Sequence, residues 1–170
     1  MVWPLKKKMT VDSLASIVAD AIEENVSVYY EAIRNHAAEN VSEQEIARFE
    51  PELWAIELSI LDVVLPMTQV PEEMVQQLMP ILVVGYSPLD KDAYLRRTQY
   101  FAEVVSKGSP EKFTINLGQA FFCASGIEYK SERQNVNRKA LEWAIATVAT
   151  GSFQGLLALV SDVSKEYRIY

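Results

Sequence analysis

Apolar residues recur every three or four positions between residues 11 and 36, which is the spacing of one face of an α-helix. Acidic and other polar side chains occupy the opposite face. The pattern predicts a first helix over about residues 11–39, with Thr10 or Asp12 as its N-cap. Two polar residues, Asn25 and His36, lie within the apolar stripe and need partners if they are buried, because an unsatisfied buried polar group costs about 1–3 kcal/mol. The stripe consists of Leu14, Val18, Ala21, Ile22, Asn25, Val28, Tyr29, Ala32, Ile33 and His36.

Helix start and stop signals continue along the chain, whereas the sustained alternation typical of strands is scarce. A capping box at Ser42 to Glu45 predicts a second helix that begins near residue 43 and ends near residue 65. Pro51 lies inside this helix and should kink or split it. Residues 113–117 alternate in polarity and fit a short strand, but we favour a helix there. The remaining predicted helices cover about residues 71–84, 88–107, 110–125 and 131–165.

These elements predict an all-α fold, a single-domain bundle of about five to seven helices. Residues 1–9 form an N-terminal tail, and residues 10–170 form the domain. Short connections favour antiparallel neighbours, so the first two long helices are expected to form a hairpin. The C-terminal helix should be long and central.

Residues 143–161 carry no charge, and the segment reaches the length at which a membrane span must be considered. Its threonines, serine, glutamine and glycines make it less hydrophobic than a leucine-rich span. We therefore expect a buried central helix rather than a membrane helix. Gly151 and Gly155 are spaced so that a neighbouring helix could approach closely, and the preceding helix is the expected packing partner.

The chain of 170 residues has a net charge of −7, which disfavours nucleic acid as a partner because phosphate backbones would be repelled. A single cysteine excludes an intrachain disulfide and fits a cytoplasmic location. The short apolar N-terminus precedes its lysines, the reverse of a secretory signal. One histidine and one cysteine do not suffice for a zinc site, so neither a metal nor another cofactor is predicted.

A hairpin that turns near residue 41 places Asn25 opposite Glu57, which lies on the apolar face of the second helix. An acid in that position should be paired or have its pKa raised by desolvation. Asn25, Tyr29, His36 and Glu57 are therefore the candidate ligand-binding residues. The alternative is a closed hydrogen-bonded network that fixes helix register, and we favour it over a ligand pocket and, still more, over catalysis. No catalytic residue is assigned.

The chain lacks a nucleophile elbow, a phosphate-binding loop and a metal-ligand pattern, so an enzyme is not the preferred interpretation. We expect a small soluble helical protein that acts as a non-enzymatic protein–protein interaction or regulatory module, binding a protein partner or a second copy of itself. The alternative is a small-ligand-binding or enzymatic domain whose polar pocket lies between the first two helices. A third possibility is association with a membrane surface through residues 3–8 or 143–161.

Overall fold

The computed structural model describes residues 7–37, 42–106, 112–125 and 132–169, except for side chains at 37, 43, 45, 102, 104–106, 113, 114, 122–125 and 132–137. Seven α-helices and one pair of short strands lie within these residues, and the all-α prediction is confirmed. A 3-10 turn at Leu65–Met67 follows the third helix. The elements are β1 (Lys7–Met9), α1 (Val11–Ala37), α2 (Glu43–Ala47), α3 (Glu50–Val64), α4 (Glu72–Gly85), α5 (Lys91–Ser106), α6 (Phe113–Ser125), α7 (Glu132–Glu166) and β2 (Tyr167–Ile169).

Local sequence signals explain where most helices begin. The Thr10 hydroxyl accepts a hydrogen bond from the Ser13 backbone N–H at 3.1 Å and caps α1 as predicted. Pro51 splits the second predicted helix into α2 and α3 and lies in the first turn of α3, where no backbone N–H is needed. Asp90 caps α5, since its Oδ1 accepts the Ala93 N–H at 2.7 Å. The segment around residues 113–117 is helical, as favoured.

The long helix α7 packs against α1, α3 and α6, so the prediction of a long C-terminal helix with several partners is confirmed. Helices α1 and α3 run antiparallel: Asn25 bonds to Glu57, while Tyr30, further along α1, shares a cleft with Glu50 at the start of α3. The core takes large, fully buried side chains from α1, α3, α5 and α6, which include Leu14, Ile22, Tyr29, Leu53, Ile56, Leu58, Phe101 and Phe121.

A glycine provides the closest helix contact, but it is not one of those predicted. A Cβ added to Gly118 of α6 would lie 2.8 Å from the backbone carbonyl oxygen of Glu142 in α7. By contrast, a Cβ added to Gly151 or Gly155 would meet nothing within 4 Å. The prediction of a close neighbour at Gly151 and Gly155 is therefore wrong, because both glycines lie on the exposed side of α7.

The predicted tail contributes an element that the sequence analysis did not anticipate. Strand β1 pairs in parallel with β2, with Lys7 opposite Tyr167, Lys8 opposite Arg168 and Met9 opposite Ile169. The Lys7 ammonium lies 5.8 Å from the centre of the Tyr167 ring, within the range of a cation–π contact. The two ends of the domain are thus joined beside α7.

Within the described residues, one segment, Arg138–Glu166, is long and apolar enough to cross a membrane by length and composition. Only a third of the residues in its most apolar stretch are buried within the fold, so the expectation of a buried helix over residues 143–161 is met on one side of α7 only. The buried residues of α7 face α1, α3 and α6, and the other side of the helix is exposed.

Candidate functional site

A polar cluster joins α1, α3 and α7 inside the bundle. Asn25 of α1 donates from Nδ2 to Glu57 Oε2 in α3 at 2.9 Å and to Ser152 Oγ in α7, also at 2.9 Å. The Ser152 hydroxyl itself donates to Glu57 Oε2. The predicted contact between Asn25 and Glu57 is therefore present, and three helices meet at a single carboxylate oxygen.

The other side of this cluster contains two buried polar atoms that lack hydrogen-bond partners among the described residues. They are the Tyr29 hydroxyl and Glu57 Oε1. Tyr29 follows Asn25 by one helical turn, and its hydroxyl is near enough to influence the pKa of Glu57, but the two groups do not have hydrogen-bond geometry. A proton on Oε1 would make this oxygen a donor directed at the region of Tyr29, whereas a charged carboxylate would leave it an unsatisfied acceptor.

Burial dominates the ionisation of this cluster. Burial raises the pKa of Glu57, and the interactions with Ser152, Asn25 and Tyr29 oppose that rise by favouring the charged form. Burial also raises the pKa of Tyr29 well above its usual value, and the nearby Glu57 raises it further. Low dielectric therefore favours the neutral form of both groups.

Three members of the cluster are closed to solvent, and Asn25 is half-buried. Glu57 and Tyr29 have no accessible surface, and Ser152 is 3% exposed. A carboxylate that water cannot touch cannot exchange a proton with a substrate held outside, so in this conformation Glu57 connects helices. A ligand would reach Glu57 only if α1, α3 and α7 separated.

His36, the fourth candidate residue, does not join the cluster. It is exposed in the last turn of α1, and Val28, also placed on the buried face, is 44% exposed. The turn at residues 48 and 49 interrupts the chain between α2 and α3, so α3 does not extend alongside the end of α1. The described structure therefore brings together Asn25, Tyr29 and Glu57 and leaves His36 apart.

Ser152 is the member that the sequence analysis missed. It lies on the buried face of α7, whose members recur at helical spacing: Leu141, Ile145, Ala149, Ser152, Leu156 and Val160. This apolar spacing is the one signal in the sequence that points to Ser152. However, Thr147 and Gln154 are also polar and lie only a turn or so away, and only the packing of α7 decides which polar residue faces Glu57.

Between residues 143 and 161 the opposite face of α7 is uncharged and exposed. Trp143, at the N-terminal end of this uncharged stretch, is 66% exposed. The Thr147 hydroxyl donates to the Trp143 carbonyl at 2.8 Å, so its only donor is used within its own helix. We call this surface the outer face of α7 and define it by Trp143, Thr147, Gly151, Gln154, Gly155 and Ala158, all of which are exposed.

Within the described ranges, no three His, Cys, Asp or Glu side chains lie together in an arrangement that could hold a metal ion. Comparison with protein families, with curated proteins and with solved structures finds no match for this chain. A function for this chain is therefore inferred from the geometry of the described residues.

Proposed function

We propose that this chain is a non-enzymatic interaction protein that associates with a second copy of itself through the outer face of α7. The observation that carries the proposal is an uncharged helix face, with an exposed tryptophan, in a chain of net charge −7. Trp143 to Ala158 spans about 22 Å at 1.5 Å per residue. Interface centres are typically poor in charge and rich in tryptophan.

The lack of charge on the outer face supports a second copy of the chain as its partner. In a two-fold contact each residue set meets itself, so an acidic surface repels its own copy, whereas an uncharged face does not. Two ion pairs within α7 flank the outer face. Arg138 Nε lies 3.0 Å from Glu142 Oε1 at one end, and Lys165 Nζ lies 3.0 Å from Asp162 Oδ1 at the other.

Shape also supports helix-to-helix packing at this face. Because nothing lies within 4 Å of the Cβ positions of Gly151 and Gly155, the backbone there is open to a neighbouring helix. Small residues at such positions allow two helix backbones to approach closely.

The experiment is sedimentation velocity on the purified full chain over a concentration series. Wild-type protein should shift from monomer towards dimer as concentration rises. Trp143→Ala should weaken the association at least about tenfold, as expected for an interface residue with a large buried ring. Gly155→Leu should weaken it as well, since the side chain fills the open position without a clash inside the monomer.

The matched control is Val84→Ala, because Val84 is an exposed apolar residue of α4 with 79% of its surface accessible. It should leave association unchanged. A wild-type chain that stays monomeric throughout, or a Val84→Ala effect as large as that of Trp143→Ala, would overturn the proposal. Flotation of a monomeric chain with phosphatidylcholine vesicles, lost in Trp143→Ala, would replace it with the membrane-surface function.

A further inference from the structure

A cleft of about 320 Å³ opens between α1, the start of α3 and the turn that joins α4 to α5. Its polar and aromatic walls come from all three segments: Glu23 and Tyr30 from α1, Glu50 from α3, and Tyr86 from the turn. Trp54 and Val26 also line it, and they are only 3% and 4% exposed, so they form an apolar floor. No lining residue belongs to α7, and the cleft is therefore separate from the proposed self-association surface.

The two carboxylates of the cleft have no cationic partner among the described residues. Neither Glu23 nor Glu50 makes an ion pair there, whereas Glu52, two residues further along α3, is paired with Arg97 at 2.7 Å. Burial raises the pKa of Tyr30 to about 12, the negative charge of Glu50 adds to the rise, and Arg34 opposes it. Glu50 thus acts directly on the Tyr30 hydroxyl, while Arg34 does not line the cleft.

Aromatic rings complement this negative charge. The faces of tyrosine and tryptophan rings carry negative potential and attract ammonium and guanidinium groups, an attraction that is strengthened by partial desolvation. Tyr86 is 39% exposed, so its ring is accessible without unfolding. A carboxylate and a ring in one concave site select an organic cation over a fully hydrated inorganic ion, because only an organic cation gains from the ring and the apolar floor.

We propose that this cleft binds an organic cation, an ammonium or guanidinium group carried on a short alkyl chain. Glu23 and Glu50 neutralise the charged head, Tyr30 and Tyr86 contact it through their rings, and Val26 and Trp54 pack against the alkyl chain. The volume lies at the lower end of the range of about 300–1,000 Å³ that is usual for small-ligand sites. The chain's charge of −7 raises the local concentration of cations.

This cation has two possible sources, a free amine and the side chain of a lysine or arginine in another protein. Both share the same chemistry, and the probes distinguish them. Agmatine and putrescine represent free amines, and lysine and arginine blocked at both ends represent residues of a polypeptide. Blocked norleucine has a similar alkyl chain without the charge and serves as the neutral comparison.

Binding is measured by following the amide resonances of the isotope-labelled full chain in NMR titrations. Cations should shift the amide resonances of residues 23–30, 50, 52–54, 86 and 87 in a saturable manner, and blocked norleucine should not. Glu23→Gln and Glu50→Gln should each raise the Kd about fivefold, the effect of one unit charge at about 4 Å in water. Tyr86→Phe keeps the ring and should bind normally, whereas Tyr86→Leu should bind more weakly.

Glu24→Gln is the matched control, since Glu24 is exposed on α1 next to Glu23 but does not line the cleft. An equal loss in Glu24→Gln would mean that the overall charge, and not the cleft, attracts the cation. Equal affinity for Mg²⁺, or for blocked norleucine, would likewise overturn the proposal. Tighter binding of the blocked amino acids than of the free amines would assign the site to a polypeptide, and the reverse order would assign it to a small molecule.

Discussion

Replacement of Glu57 by glutamine tests whether the core contains an acid that prefers to be neutral. Glutamine has nearly the same shape, and its carbonyl oxygen can accept the bonds that Asn25 and Ser152 donate to Oε2. Its amide nitrogen then takes the place of Oε1, the atom without a partner, and can donate towards Tyr29. The variant therefore mimics a Glu57 that is protonated at every pH.

The sign of the pH effect follows from the direction of the pKa shift. Burial raises the pKa of Glu57 above its ordinary value of 4.5, so the folded state binds the proton more tightly than the unfolded state. The stability that Glu57 contributes is complete below about pH 4.5 and is lost as pH rises through the folded pKa. Across that interval the free energy of unfolding of the wild type should fall, relative to Glu57→Gln, by up to about 1.4 kcal/mol per pH unit.

Urea denaturation followed by circular dichroism between pH 4 and 8 measures this difference directly. Glu57→Gln should be close to wild type at pH 4 and should become the more stable protein as pH rises. Glu24→Gln removes the same charge from an exposed position and reports the background effect. A difference between wild type and Glu57→Gln that does not vary with pH would refute the argument, because Glu57 would then ionise in the fold as readily as in the unfolded chain.

Three further predictions concern local packing and capping. Gly118→Ala should lower the free energy of unfolding by about 1–3 kcal/mol, because its Cβ would lie 2.8 Å from the Glu142 carbonyl oxygen; a stability equal to wild type in thermal denaturation would contradict that close approach. Gly151→Ala should instead raise the monomer's free energy of unfolding by up to about 1 kcal/mol, since its Cβ meets nothing within the chain and alanine favours the helix. A lower free energy of unfolding in the same assay would mean that a neighbouring group covers this position. Asp90→Ala should cost about 1 kcal/mol by removing the cap on the Ala93 N–H, and Asp90→Asn, which can still cap, should recover most of it in urea denaturation.

The sequence determined the helices, because their signals are local. Spacing of apolar residues, Thr10 as a cap and Pro51 as an interruption depend on neighbours along the chain, and each produced the expected element or boundary. The contact between Asn25 and Glu57 was also predictable, since the two residues lie at equal distances from a turn near residue 41 and the helices that carry them are antiparallel. It is present although α2 lies between α1 and α3 in the chain.

Tertiary packing decided which face of each helix is buried and which residues it brings together. The uncharged segment of α7 contains polar or small residues on every side, so local pattern could not reveal that Ser152 faces Glu57 while Gly151 and Gly155 face outwards. It could not separate Gly118, which permits the contact with α7, from the other glycines. The cleft beside Tyr30 unites α1, the start of α3 and the α4–α5 turn, segments that only the folded chain brings together. Such contacts depend on how elements distant in sequence fill space together, and a single chain's periodicity does not record that information.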